Sequence, residues 1–175
     1  MVLKARLRIA ISGKSGSGKT ALSNHLVQKL GGVRASTGDI YRDVSRLLYG
    51  EATKDLMNLL TQTLRRMDTN CVLRAALRTA DNGFGIVCDS MRFNEDYSFL
   101  RTHGFLLVRL QSAVEVRHER LRQRGEIFSP HDLENDPTET ALDDATFDCF
   151  LLNDGTDLSV FLDDALTEIS NNLKM

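Results

Sequence analysis

The chain has 175 residues, 42% hydrophobic and 26% charged, with a net charge of −2, the make-up of one globular domain with an ordinary core. No run of about 18 apolar residues occurs, which argues against a membrane-spanning helix, and the alternating start Met1–Leu7 reads against a secretory signal. Cys71, Cys88 and Cys149 are widely spaced and odd in number, the pattern of small buried thiols in a reducing cytoplasm rather than of disulfides or a metal site.

Residues 6–12 form an apolar-rich strand candidate, and residues 21–30 place apolar side chains at helical spacing up to a Gly31-Gly32 stop. Between them Gly13-Lys14-Ser15-Gly16-Ser17-Gly18-Lys19-Thr20 matches G-x-x-x-x-G-K-[ST] at every fixed position. A glycine-rich turn between strand and helix aims backbone N–H groups at an anion, and the positive helix end adds to the attraction. Such a loop binds a nucleoside triphosphate, here expected to be ATP. Lys19 would reach the β- and γ-phosphates and the Thr20 hydroxyl would hold Mg²⁺.

A short second strand is expected at 33–36, followed by Ser36-Thr37-Gly38-Asp39-Ile40-Tyr41-Arg42. From Gly38 to about Ala80 the pattern is helical, and its length suggests two or three helices in a side lobe. A third strand at 85–89 ends in Asp89, whose carboxylate could bind a water on Mg²⁺ or accept from Thr20; Arg92 follows as a second positive contact for an acceptor. Further elements are a helix at about 95–103, a strand at 105–110 and a helix at 112–124. On that last helix Arg117, Arg120 and Arg124 share one face, while His118 has no paired ligand and reads as a surface residue.

After Gly125 comes a polar loop, then a short helix with Thr138 as a cap candidate, a fifth strand at 148–152 and a final helix at 156–173. The turn Asn153-Asp154-Gly155 can cap the final helix through Thr156. Alternating strands and helices imply a parallel sheet covered on both sides, with ligands at the carboxyl ends of its strands. Charge is uneven: Lys4 to Arg42 holds eight basic residues and one acid, whereas Asp132 to Glu168 holds twelve acids and no Lys or Arg. Because the basic residues recur at motif positions, this reads as a phosphate-binding centre with an acidic flank, and no nucleic-acid partner is expected.

The phosphate loop together with Ser36–Arg42, which is similar to an S-T-G-D-x-x-R segment, resembles adenylate kinases and other P-loop nucleoside monophosphate kinases. The E-T-x-L-D at Glu139–Asp143, the N-D-G-T at Asn153–Thr156 and the Arg92-Phe93-Asn94-Glu95 segment resemble phage-type deoxynucleoside monophosphate kinases, although the Asp–Arg spacing before Phe93 differs by one and a proline is missing. The resemblance implies a three-layer α/β/α P-loop kinase with a five-stranded parallel sheet: one domain over 1–175, with core 1–37 and 81–175, a helical acceptor-binding insertion at about 38–80 and a short lid at about 125–138. It implies Thr37 beside the base or sugar of a (deoxy)nucleoside monophosphate, Asp39 within the same segment, and Arg42 on the acceptor phosphate. Arg120 and Arg124 would lie near the donor and the transferring phosphoryl, and Asn153 and Gly155 near the donor adenine. Lys19, Arg42, Arg92, Arg120 and Arg124 would then offset the charge gathered in the reaction. The same resemblance implies a cytoplasmic enzyme, in the host cytoplasm for a phage-encoded chain, and leaves a homodimer open. A dephospho-CoA kinase-like acceptor and a nucleic-acid-stimulated ATPase stand as alternatives.

Overall fold

The computed structural model describes residues 7–81, 84–155 and 157–173. Arg6, expected to open the first strand, and Thr156, the alternative cap, lie outside these residues. Five strands form one sheet: β1 (Leu7–Ser12), β2 (Val33–Ala35), β3 (Gly85–Cys88), β4 (Leu106–Gln111) and β5 (Cys149–Leu152). Their spatial order is β2-β3-β1-β4-β5, and every pairing is parallel. Each strand begins and ends within a residue of its expected place.

Helices fill the connections: α1 (Lys19–Leu30), α2 (Thr37–Tyr49), α3 (Lys54–Met67), α4 (Cys71–Ala80), α5 (Asn94–Thr102), α6 (Val114–Gln123), α7 (Pro130–Asn135), α8 (Pro137–Thr140) and α9 (Leu158–Asn172). Among the described residues no helix is long and apolar enough to cross a membrane. The strand period of two separates the two cores. Ile9 and Ile11 of β1, with Val87, Val108 and Leu110, pack against α1 and α9 through Leu22, Leu26, Phe161 and Ile169. Ala10, Cys88 and Leu107 face the other way, onto α4 and α5 through Leu73, Ala76 and Leu100. The outcome is a three-layer α/β/α fold.

Two of the three thiols, Cys88 and Cys149, are buried as expected, whereas Cys71 is half-buried. Desolvation pushes Cys88 up to about 12 and Cys149 up to about 11, so both act as small apolar residues.

Three details depart from the sequence reading. The expected helix block at 38–80 divides into α2, α3 and α4, but α3 contributes no buried residue, and Leu47 and Leu48 of α2 are exposed. The α4 helix carries its apolar face into the core, through Leu73, Ala76 and Ala80, whereas the apolar spacing of α3 and of Leu47 and Leu48 does not signal core. The polar loop after Gly125 contains α7, capped by Ser129 with Pro130 in its first turn, and α8, whose cap is Asp136 accepting from Thr138 N–H at 2.8 Å. Thr138 is therefore inside the helix rather than its cap. The final helix is capped by Asp157, which accepts from Ser159 N–H at 2.8 Å.

Candidate functional site

The phosphate loop lies at the carboxyl end of β1, the strand flanked by β3 and β4, where an open α/β sheet places its ligand crevice. Gly16 and Gly18 have φ of +80° and +103°, which favours glycine. A Cβ on Gly16 would meet the Arg117 carbonyl at 2.6 Å, and one on Gly18 would meet Asn153 Nδ2 at 2.8 Å. The loop is thus packed tightly from behind by α6 and the end of β5, and its open side faces a cleft of about 660 Å³.

That cleft gathers residues from distant parts of the chain. Ser15, Gly16, Gly18, Lys19 and Thr20 line its loop side, and Thr37, Arg42, Asp89, Arg92 and Arg124 line the rest. Tyr41 and the α3 residues Asn58 and Thr61 form the wall of the side lobe. Lys19 Nζ donates to the carbonyls of Gly13 at 2.5 Å and Lys14 at 3.0 Å. Its pKa is lowered to about 7, first by desolvation and then by the like charge of Arg92, with Glu139 and Asp89 opposing.

Other expected residues stand behind the loop. Arg120 donates to the Gly16 carbonyl at 3.3 Å and to Asn153 Oδ1 at 3.0 Å. Asn153 is buried, and its Nδ2 donates to the Ser17 carbonyl at 2.9 Å. Gly155 packs near Val116 of α6. Arg120 and Arg124, grouped on one helix face by spacing, therefore divide: Arg124 enters the cleft while Arg120 braces the loop.

Asp89 meets a cation that sequence reasoning missed. Arg34 Nε donates to Asp89 Oδ2 at 2.6 Å, and Ser23 Oγ donates to the same oxygen at 3.3 Å. Arg34 Nη1 also donates to Asp39 Oδ2 at 2.7 Å, and Asp39 Oδ1 accepts from Arg42. Burial would raise the Asp39 carboxyl, but Arg42 and Arg34 hold it below its ordinary value. A continuous chain Ser23–Asp89–Arg34–Asp39–Arg42 thus joins the loop helix to the side lobe. The Thr20 hydroxyl is exposed in the cleft that Asp89 also lines. This all-oxygen pair fits Mg²⁺, with Asp89, already engaged by Arg34, suited to a water-bridged contact.

An acidic segment covers the loop tip. Lys14 Nζ lies 3.1 Å from Asp143 and 3.9 Å from Glu134. Arg117, fully buried, donates to both Glu134 oxygens at 2.7 Å and to the Ser15 carbonyl at 3.3 Å. His118 is also buried, with Nε2 2.9 Å from Glu134 Oε1, which corrects its reading as a surface residue. Burial alone would raise Glu134, yet Arg117 and His118 bring its carboxyl below the usual range. Glu139 accepts from Ser15 N–H and Oγ at 2.5 and 2.6 Å. Arg109, inside β4, donates to Ser12 Oγ at 3.0 Å and Asp143 Oδ1 at 2.5 Å. An arginine inside a largely apolar strand was the available clue to that contact; Glu134 had none in local spacing, and Glu139 was marked only as part of the E-T-x-L-D segment, not as a partner of the loop.

The family model described as "AAA domain" matches residues 9–140 of this chain. No curated protein matches it. Among solved structures, a shikimate kinase from Bacteroides thetaiotaomicron is similar with 17% identity, 98% of this chain and 100% of that chain covered, and a TM-score of 0.66. A gluconokinase from Sinorhizobium meliloti 1021 has 19% identity, coverage of 97% and 96%, and a TM-score of 0.64. The deoxyadenosine kinase from M. mycoides with bound dCTP has 16% identity, coverage of 94% and 100%, and a TM-score of 0.53. These likenesses establish a fold shared with P-loop kinases.

Proposed function

Because the chain belongs to the AAA domain family and carries its phosphate loop intact, we propose that it transfers the γ-phosphoryl of ATP to a (deoxy)nucleoside monophosphate. The observation that carries this reading is one cleft with cations at two places: Lys19 on the loop side, close enough to Arg92 to feel its charge, and Arg42 on α2 of the side lobe. A triphosphate needs only the first. A second anion, held in line with it, accounts for the other.

In this reading the loop amides and Lys19 hold the donor, and Thr37 lies beside the acceptor nucleoside with its N–H fixed on Ser90 Oγ at 2.9 Å. Arg42, steadied by Asp39, grips the acceptor phosphate, while Arg92 and Arg124 face the transferring group. Arg120 and Asn153 act by holding the loop. Thr20 and Asp89 would hold Mg²⁺, which supplies charge neutralisation on the phosphates. A phosphate oxygen is already nucleophilic, so no general base is needed and rate arises from alignment and electrostatics. The side lobe and the segment after Gly125 close over the reactants and exclude water.

ADP formation against a panel of monophosphates tests the proposal. The panel includes hydroxyl acceptors such as shikimate and gluconate, which the names of the structural relatives suggest, together with dephospho-CoA, DNA and RNA. Acceptor-dependent ADP with a monophosphate supports the reading. Turnover only with a hydroxyl acceptor, or stimulation only by nucleic acid, overturns it.

A further inference from the structure

Glu139 has no part in the machinery above, yet its carboxylate sits on the anion-binding loop. Oε2 accepts from Ser15 N–H at 2.5 Å, and Oε1 accepts from Ser15 Oγ at 2.6 Å and from Arg92 Nη1 at 3.2 Å. The side chain is only 4% exposed. A single internal anion therefore spans the gap between the donor loop and an arginine on the acceptor side. A phosphoryl group moving between donor and acceptor needs that same space and those same donors. Two anions in contact within a half-buried site repel strongly, so carboxylate and terminal phosphate exclude each other.

We propose that Glu139 is a specificity-determining residue of the donor site. Its carboxylate holds Ser15 and Arg92 until a terminal phosphate displaces it, and it thereby sets how the site ranks triphosphates against diphosphates. The inference rests on reading Gly13–Thr20 as the donor site and is independent of the acceptor's identity. A diphosphate, held by the amides where the loop enters α1, leaves Glu139 in place. The surroundings allow this local exchange. Upstream, Glu134 stays anchored to Arg117 and His118; downstream, Asp143 stays anchored to Lys14 and Arg109. Only the short α8, between these anchors, has to move. When the γ-phosphoryl has left, Glu139 returns to Ser15 with ADP still on the inner amides.

The test compares calorimetric Kd values of ADP and a non-hydrolysable ATP analogue, with Mg²⁺, for the wild-type protein and E139Q. Glu139→Gln removes the competing charge while keeping the shape. It should tighten the analogue about tenfold and change ADP less than about twofold, the scale of one charge-assisted hydrogen bond. Equal changes for both nucleotides, or a weaker analogue, overturn the proposal while leaving the donor-site reading intact if ADP binds. Failure of the wild-type protein to bind either nucleotide overturns the donor-site reading and the proposal together. Hydrogen exchange on the wild-type protein requires no variant: the analogue, but not ADP, should speed exchange across residues 137–141. Identical exchange in the two complexes also overturns it.

Discussion

Arg34 Nε donates to Asp89 Oδ2 at 2.6 Å across two neighbouring strand ends, and the Asp89 side chain is only 4% exposed. Removing one partner of such a pair leaves an uncompensated buried charge. Arg34→Ala should therefore destabilise the fold by about 3 kcal/mol, read from urea midpoints at constant slope. Adding Asp89→Asn should recover part of the loss. Wild-type stability in Arg34→Ala would show that Asp89 finds another cation or water.

Lys19→Ala should lower turnover by orders of magnitude while the circular dichroism spectrum stays that of the folded protein. The side chain's bonds are to two loop carbonyls, so its loss removes little packing. Near-normal turnover would remove Lys19 from the chemistry.

Arg42→Ala separates the two ends of the cleft. The acceptor KM should rise at least about tenfold, as for loss of a charge-assisted contact, with the ATP KM little changed. A collapse of ATP affinity instead would mean that donor and acceptor ends are assigned the wrong way round.

Lys19 also predicts a pH dependence. Its folded-state pKa is lowered to about 7 from 10.5, while the unfolded chain keeps the higher value. Between these limits the unfolded state binds more protons, so stability of the free protein rises with pH across that window. Phosphate favours the ammonium, so nucleotide binding takes up a proton, and affinity should fall as pH rises above about 7. Calorimetry in two buffers of different ionisation enthalpy reads the uptake directly. Equal enthalpies at pH 8 would contradict it, and Lys19→Met should abolish the difference.

Asn153→Ala should cost about 1–3 kcal/mol, because it orphans the buried Ser17 carbonyl and one Arg120 donor. Nucleotide affinity should fall with it, since the loop loses its rear support. A stability loss with unchanged Kd would restrict Asn153 to the fold alone.

The sheet was legible because its strands are short apolar runs punctuated by glycines and turns, and the loop was legible because its spacing is local. The helical lobe was legible in length and pattern but not in burial: Leu47 follows helical periodicity and is still 84% exposed, since periodicity records a helix face and not what covers it. The cleft residues Lys19, Arg42, Arg92 and Arg124 each sit in or near a recognisable segment. Arg34 does not, and the E-T-x-L-D segment that holds Glu139 carries no sign of its partner. Arg34 meets Asp89 across 55 residues, and Glu139 meets Ser15 across 124. Those meetings depend on strand order and on how a short acidic segment folds back. His118 was misread for the same reason, its partner Glu134 lying in a stretch without a strong pattern.

The brace between Asn153 and Ser17 spans 136 residues, and it sets an order of assembly. On the ribosome the phosphate loop is made well before β5, which lies at an edge of the sheet. A nascent chain that has released everything up to α8 already displays the complete loop motif, but still lacks the Asn153 brace behind Gly18. Full support of the loop is therefore acquired only after β5 is made, when Asn153 slides in behind a loop written long before it.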